Sequence, residues 1–202
     1  MRINPLNRNS RLFDKRQLAW LFILATFLTP LPAAEKERDL PSLSVMNHKN
    51  MSVRLSSLKE KNEILVLVFV ASTCPVTHLY WERIKGTWYN YRDRDVVMMA
   101  VGGNSDDSIE KIQKQFETLD LELPIVWDSK HALARAVGIE FTPGVVVIGK
   151  NWETLYRGRI DDFWRDEARV KQRYLDAAIT AALSGHKIPD HVNEDFMGSR
   201  LR

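Results

Sequence analysis

The sequence predicts an α/β layered domain, and three observations carry that prediction. Residues Ile64–Val70 form an unbroken, largely β-branched apolar run, the pattern of a central strand covered on both faces. Asp95–Val101 reads as a second buried strand, closed by Gly102-Gly103-Asn104. Between and after them lie segments with apolar residues three to four apart, so strands alternate with helices, as layered α/β domains do.

The elements follow in chain order. Leu43–Leu55 holds short alternating pieces around Asn47-His48-Lys49-Asn50 and predicts a hairpin over the mouth of the domain. After the first strand, Pro75 suits the first turn of a helix, where a missing N–H loses nothing, and Ser72 or Thr73 is placed to cap it. Tyr80, Ile84, Trp88 and Tyr91 carry that helix to about Asn90. Ser108 to Leu119 reads as a second helix, with Ile109, Ile112, Phe116 and Leu119 on one side. Ile125–Trp127 is a short strand, and Asp128–Val137 a helix stopped by Gly138. Strands at Gly144–Ile148 and Leu155–Ile160 come next, then a closing helix capped by Asp162 and ended by Gly185.

The ends of the chain read differently. Residues 1–34 resemble an export signal, with a basic stretch through Lys15-Arg16 before the apolar run Leu18–Leu28. Breakers and the small pair Ala33-Ala34 follow it. At ~1.5 Å per residue that run reaches roughly 16 Å, about half a hydrocarbon core. The alternative is a short uncleaved anchor tethering the chain to a membrane. Residues 35–42 read as a leader, 43–185 as the domain, and 186–202 as a loose polar tail.

Composition excludes several functions. The chain has 202 residues, 45% hydrophobic and 27% charged, enough to bury one core. Its net charge of +3 has a local source. The first 34 residues hold Arg2, Arg8, Arg11, Lys15 and Arg16 against Asp14 alone, and the rest is close to neutral. No basic face remains to neutralise phosphates, so nucleic acid is not an expected partner. The single cysteine, Cys74, rules out an internal disulfide, a CxxC pair and a multi-cysteine zinc cage.

Cys74 stands where the first strand meets a helix. A thiol there faces unpaired N–H groups and the positive end of the helix dipole, which favour the thiolate. The opposite reading is a small buried hydrophobe. Cys-Pro at a strand-to-helix junction favours the reactive one, with the sulfur open to visitors. His78, one helical turn on, could share its face. Cys74 and His78 are then the two side chains a soft metal would use. Two ligands are too few, and His48 is the one further imidazole to suggest. A solvent-facing histidine is the simpler reading.

This arrangement resembles the thioredoxin superfamily. A buried strand runs into Cys74-Pro75, and Thr142-Pro143 stands just ahead of a later buried strand. Pro124–Asp128, Leu133–Gly138 and Phe141–Ile148 are similar to the redoxin branch, which includes alkyl hydroperoxide reductase/thiol-specific antioxidant domains and exported TlpA/ResA-type proteins. Tyr156–Asp162 resembles exported redoxins that read CPVS at the active helix; here the motif is CPVT. The resemblance implies a three-layer α/β/α sandwich with a mixed central sheet, here with an N-terminal hairpin extension, and no cofactor. It also implies a cis Thr142-Pro143 bond that brings its backbone beside Cys74 to hold an extended substrate segment. Pro75 and Trp81 join Thr142 as candidate groove residues, though Trp81, Trp88 and Tyr91 are first of all packing residues.

Thr77 occupies the place of the second cysteine of dithiol relatives, where it could hydrogen-bond the thiolate but cannot resolve a mixed disulfide. Relatives of this type often end in Gly-Cys; this chain has Gly198-Ser199. The expected chemistry is therefore one-thiol exchange, with Cys74, Thr77 and Pro143 at the centre. Its partners would be protein or low-molecular-weight thiols and disulfides, with an external thiol reductant. Two other readings stay open. A one-cysteine peroxidase would pass through a sulfenic acid. Peroxiredoxins, however, carry a proline and a threonine where this chain has Leu67 and Ala71, and an arginine where it has Pro143; only Arg157 or Arg159 could substitute. The other is a non-catalytic module binding extended peptides or a metal-bearing partner in the same groove. Asp161-Asp162 looks like a carboxylate pair, but a helix cap is the plainer explanation.

Overall fold

The computed structural model describes residues 40–59, 64–188 and 197–202. Residues 1–34, which the sequence reads as an export signal, and most of the leader lie outside the described residues. No helix among the described residues is long and apolar enough to cross a membrane.

The core is built on β3 (Ile64–Phe69), every residue of which is buried. It pairs in parallel with β4 (Val96–Gly102), and β4 in parallel with β5 (Ile125–Trp127). On its other side β3 runs antiparallel to β7 (Gly144–Ile148), which pairs with β8 (Thr154–Gly158). The hairpin of β1 (Ser44–Asn47) and β2 (Ser52–Arg54) completes a mixed sheet of order β2-β1-β5-β4-β3-β7-β8. The hairpin does not cover the mouth of the domain. It lengthens one edge of the sheet through β1–β5 pairing, and Asn47 Oδ1 closes its turn by accepting from the amides of Lys49 and Met51.

Alternation along β3 sends side chains into two cores. Ile64, Val66 and Val68 pack with Tyr80 and Ile84 of α2 (Pro75–Tyr91), Ile112 and Phe116 of α3 (Ile109–Thr118), and Leu175 and Ile179 of α5 (Tyr174–Leu183). Leu65, Leu67 and Phe69 pack with Leu55 of α1 (Leu55–Lys59) and with Leu133 and Val137 of α4 (Ala132–Val137). Helices therefore cover both faces, which is why β3 reads as a continuous apolar run. Each fully buried aliphatic side chain contributes about 1.5–3 kcal/mol.

One predicted cap and two predicted helix starts are corrected. Cys74 itself, not Ser72 or Thr73, is the N-cap of α2. Helix α4 begins at Ala132: His131 adopts a left-handed φ of 50°, and the Asp128 carboxylate reaches past it to the amide of Ala134 at 2.8 Å. Helix α5 begins at Tyr174, and Asp162 does not cap it. Its Oδ1 instead accepts from the amides of Lys171 and Gln172, closing the loop before the helix. Desolvation pushes the Asp162 carboxyl up, but these backbone donors, with Arg159 nearby, together outweigh it and hold the carboxyl below the usual range.

The tail is not loose throughout. Ser199–Arg200 forms β9, antiparallel to β6 (Phe141–Thr142), the two residues just before Pro143.

Candidate functional site

Local chemistry explains how Cys74 is presented. The chain leaves β3 at Val70 and turns, with the Cys74 amide donating to the Ala71 carbonyl at 3.1 Å. Ser72 is fixed within this turn because Asp107 accepts from both its amide and its hydroxyl. Cys74 then takes an extended backbone, φ −86° and ψ 114°, and Pro75 opens α2. Sγ occupies the place of a capping oxygen and accepts from the amide of Thr77 at 3.5 Å.

The Thr142-Pro143 bond is cis and lies against this sulfur. Sγ is 3.1 Å from the carbonyl oxygen of Thr142, to which the protonated thiol donates. The two segments are 68 positions apart in sequence and meet because β3 and β7 are paired, Phe69 opposite Gly144.

Cys74 is buried, which corrects the expectation of an open sulfur. Strand β9 lies against it: Ser199 pairs with Thr142, and its side chain hydrogen-bonds the thiol. The surroundings are nevertheless polar. Burial pushes the thiol up, but hydrogen bonds from Ser199 and Thr77, and then Thr142, outweigh it and bring the value down to about 7. Thr77 is itself buried, and its Oγ1 has no partner at full hydrogen-bond geometry, which leaves its proton for the sulfur.

The other sequence candidates lie beside this centre. His78 does not turn to Cys74. Its Nε2 sits 2.6 Å from the Ser72 carbonyl and 3.1 Å from Gln115 Nε2. Trp81 is buried edge-on to Phe116, with ring centroids 5.3 Å apart. It lines a cavity of about 510 Å3 with Ser72, His78, Lys111 and Gln115, a lining that does not include Cys74. Among the described residues no group of three or more His, Cys, Asp or Glu side chains is arranged to hold a metal. The arginines considered for peroxide activation are otherwise engaged: Arg159 donates to the Asp162 carbonyl, and Arg157 packs on Gly138.

Asp161 is neither a cap nor half of a catalytic carboxylate pair. It is buried and accepts from Tyr80 at 2.7 Å, Arg83 at 2.6 Å and the amide of Phe163 at 3.0 Å. Arg83 also donates to the carbonyls of Phe163 and Trp164, so this network fastens the segment after β8 to the helix that begins at the cysteine.

Sequence reasoning missed Ser199 and Asp107 as residues of the site. Gly198-Ser199 did stand out as the place where similar proteins carry a cysteine. Asp107 gave no signal, because its partner Ser72 lies on another strand-to-helix loop.

Comparison with known proteins agrees with this fold. The model of the AhpC/TSA family matches residues 37–157, more than half of the chain. No curated protein matches. An uncharacterized conserved protein from Geobacillus kaustophilus is 23% identical, with a TM-score of 0.68 over 81% of this chain and 89% of its own. A putative thiol:disulfide interchange protein DsbE from Chlorobium tepidum is 19% identical, with a TM-score of 0.56 over 71% and 94%. A secreted Mycobacterium tuberculosis disulfide oxidoreductase homologous to E. coli DsbE is 12% identical, with a TM-score of 0.54 over 71% and 98%. At these identities the solved structures establish a shared thioredoxin-like fold.

Proposed function

The chain belongs to the AhpC/TSA family, and from that premise we propose that it is an exported protein using Cys74 for thiol–disulfide exchange. The observation that carries this reading is the setting of Sγ. The thiol is poised at about 7 by the amide and hydroxyl of Thr77 and by Ser199, and it faces the backbone of Thr142-Pro143.

The Cys74 thiolate attacks one sulfur of a partner disulfide. A Cys74–partner sulfur–sulfur bond forms, the partner's bond breaks, and the released sulfur leaves as a thiolate that takes up a proton. Thr77 steadies the attacking sulfur, while Thr142 and Pro143 align the incoming chain. With no second cysteine in the sequence, the mixed disulfide waits for an external thiol. That thiol attacks the partner's sulfur, returns Cys74 as thiolate and departs joined to the partner. Export is supported by the order of basic, apolar and small residues in positions 1–34, and an oxidising compartment would supply disulfides.

Mass measurement after incubation with glutathione disulfide, and separately with hydrogen peroxide, tests the proposal. A single glutathione adduct that a Cys74→Ser chain lacks is the expected result. Rapid conversion to sulfenic and sulfinic forms without the adduct would replace it with peroxidase chemistry. A thiol unchanged by both treatments would leave a binding module.

A further inference from the structure

The exchange reading aligns an incoming chain along the edge of β6, and we propose that residues 197–202 are the resident occupant of that edge. They form a strap that a partner must displace before it reaches Cys74. This deepens the exchange reading and rests on it.

The strap lies where an incoming chain would have to lie. Ser199 is opposite Thr142 and Arg200 opposite Phe141, in antiparallel register. The pairing is extended by the Leu201 amide donating to the Glu140 carbonyl at 2.9 Å. Thr142 Oγ1 donates to the Ser199 carbonyl at 3.3 Å, and the Ser199 side chain hydrogen-bonds the sulfur. Beyond the edge, the Arg202 amide donates to Asn104 Oδ1 at 3.2 Å, and its carbonyl accepts from the Ser105 amide at 2.9 Å. The strap therefore runs from the cis peptide bond to the loop after β4.

Two features fit a removable occupant. Its ion pair, Arg200 with Glu140 at 2.9 Å, is solvent-exposed at both ends and holds weakly. Its passage over the site also depends on one residue. A Cβ on Gly198, whose φ is +154°, would stand 1.8 Å from the Thr142 carbonyl oxygen. An added strand on an exposed edge is a general mode of peptide recognition, with backbone bonds supplying affinity. The displacing class is therefore a protein segment in extended form. It runs antiparallel to β6 and carries its disulfide sulfur where Ser199 sits.

The test uses the full chain, with Gly198→Val to unseat the strap and Ser199→Cys to report it. Alkylation of Cys74 by iodoacetamide and adduct formation with glutathione disulfide are timed at pH 9, where ionisation no longer limits the rate. Both rates are expected to rise about tenfold or more in Gly198→Val, because only the open fraction reacts in the unaltered chain. Diamide is expected to join Cys74 to the new cysteine of Ser199→Cys within one chain. Equal alkylation rates, together with two free thiols in diamide-treated Ser199→Cys, would overturn the strap. Faster alkylation without a glutathione adduct in either chain would keep the strap and remove the exchange reading. Adducts forming equally fast in both chains, with equal alkylation, would do the reverse.

Discussion

The amide of Thr77 donates to Sγ of Cys74, making the thiol sulfur the cap of its own helix. The hydroxyl of Thr77 acts on the same sulfur. Removing it in Thr77→Val keeps the branched shape and the amide but deletes one donor to the thiolate. Fewer donors favour the protonated form, so the midpoint of alkylation rate against pH should rise by roughly one unit from about 7. Iodoacetamide kinetics between pH 5 and 10 read the shift. A midpoint that stays put would assign the lowering to the amide, Ser199 and Thr142.

The same lowered thiol links folding to pH. Its folded value is about 7, against an ordinary thiol value of 9.0. Between these the unfolded chain holds a proton that the native chain has lost, so stability from this group grows as pH rises through the window. Above 9 it is fully present, and it disappears as pH falls through 7. Compared with Cys74→Ser, which does not titrate, the unaltered chain should gain roughly 2 kcal/mol at most between pH 6 and pH 9. Urea unfolding of both chains at the two pH values measures the difference.

Much of this architecture was legible because burial on two faces leaves no polar residue in a strand. Ile64–Phe69 and Gly144–Ile148 announce themselves for that reason. Long-range pairing leaves no such trace. Nothing in Ser44–Arg54 says that β1 will join β5, some eighty positions on, rather than fold over the mouth. Caps acting at a distance also mislead: Asp128 reaches Ala134 across a left-handed His131, so the helix starts later than its acidic residue suggests. At the site, Cys74, Thr77 and Thr142-Pro143 could be read from chain order and resemblance. Ser199 could not, because two paired residues in a polar tail carry no periodicity, and their meaning depends on a register with β6.

Arg83 and Asp161 are held at 2.6 Å with side chains 5% and 1% exposed, so neither charge has water to fall back on. Asp161→Ala would leave the guanidinium buried without its partner and the Tyr80 hydroxyl without its acceptor. Breaking such a pair from one side costs about 3–5 kcal/mol. The expected result is a urea midpoint lowered by that amount. A double variant, Arg83→Met with Asp161→Ala, should recover part of the loss because no stranded charge remains. A double variant no better than the single one would mean that the Tyr80 and Phe163 bonds, not the charge pair, hold this segment.

His78 separates a hydrogen-bonded cysteine from a cysteine–histidine ion pair. Its Nε2 is engaged by the Ser72 carbonyl and Gln115, and the groups that set Cys74 near 7 are Ser199, Thr77 and Thr142. His78→Ala should therefore leave the pH midpoint of Cys74 alkylation within a few tenths of a unit, whereas loss of an imidazolium partner within ~4–6 Å would raise it by about one unit or more. What the substitution should change is the Ser72 turn, since the carbonyl of Ser72 keeps only the Gln115 amide at 3.1 Å. Amide hydrogen exchange at Ser72 and Thr73 should quicken in His78→Ala while the alkylation midpoint holds. A midpoint that moves with the exchange rate would bring the histidine into the thiol's immediate circle.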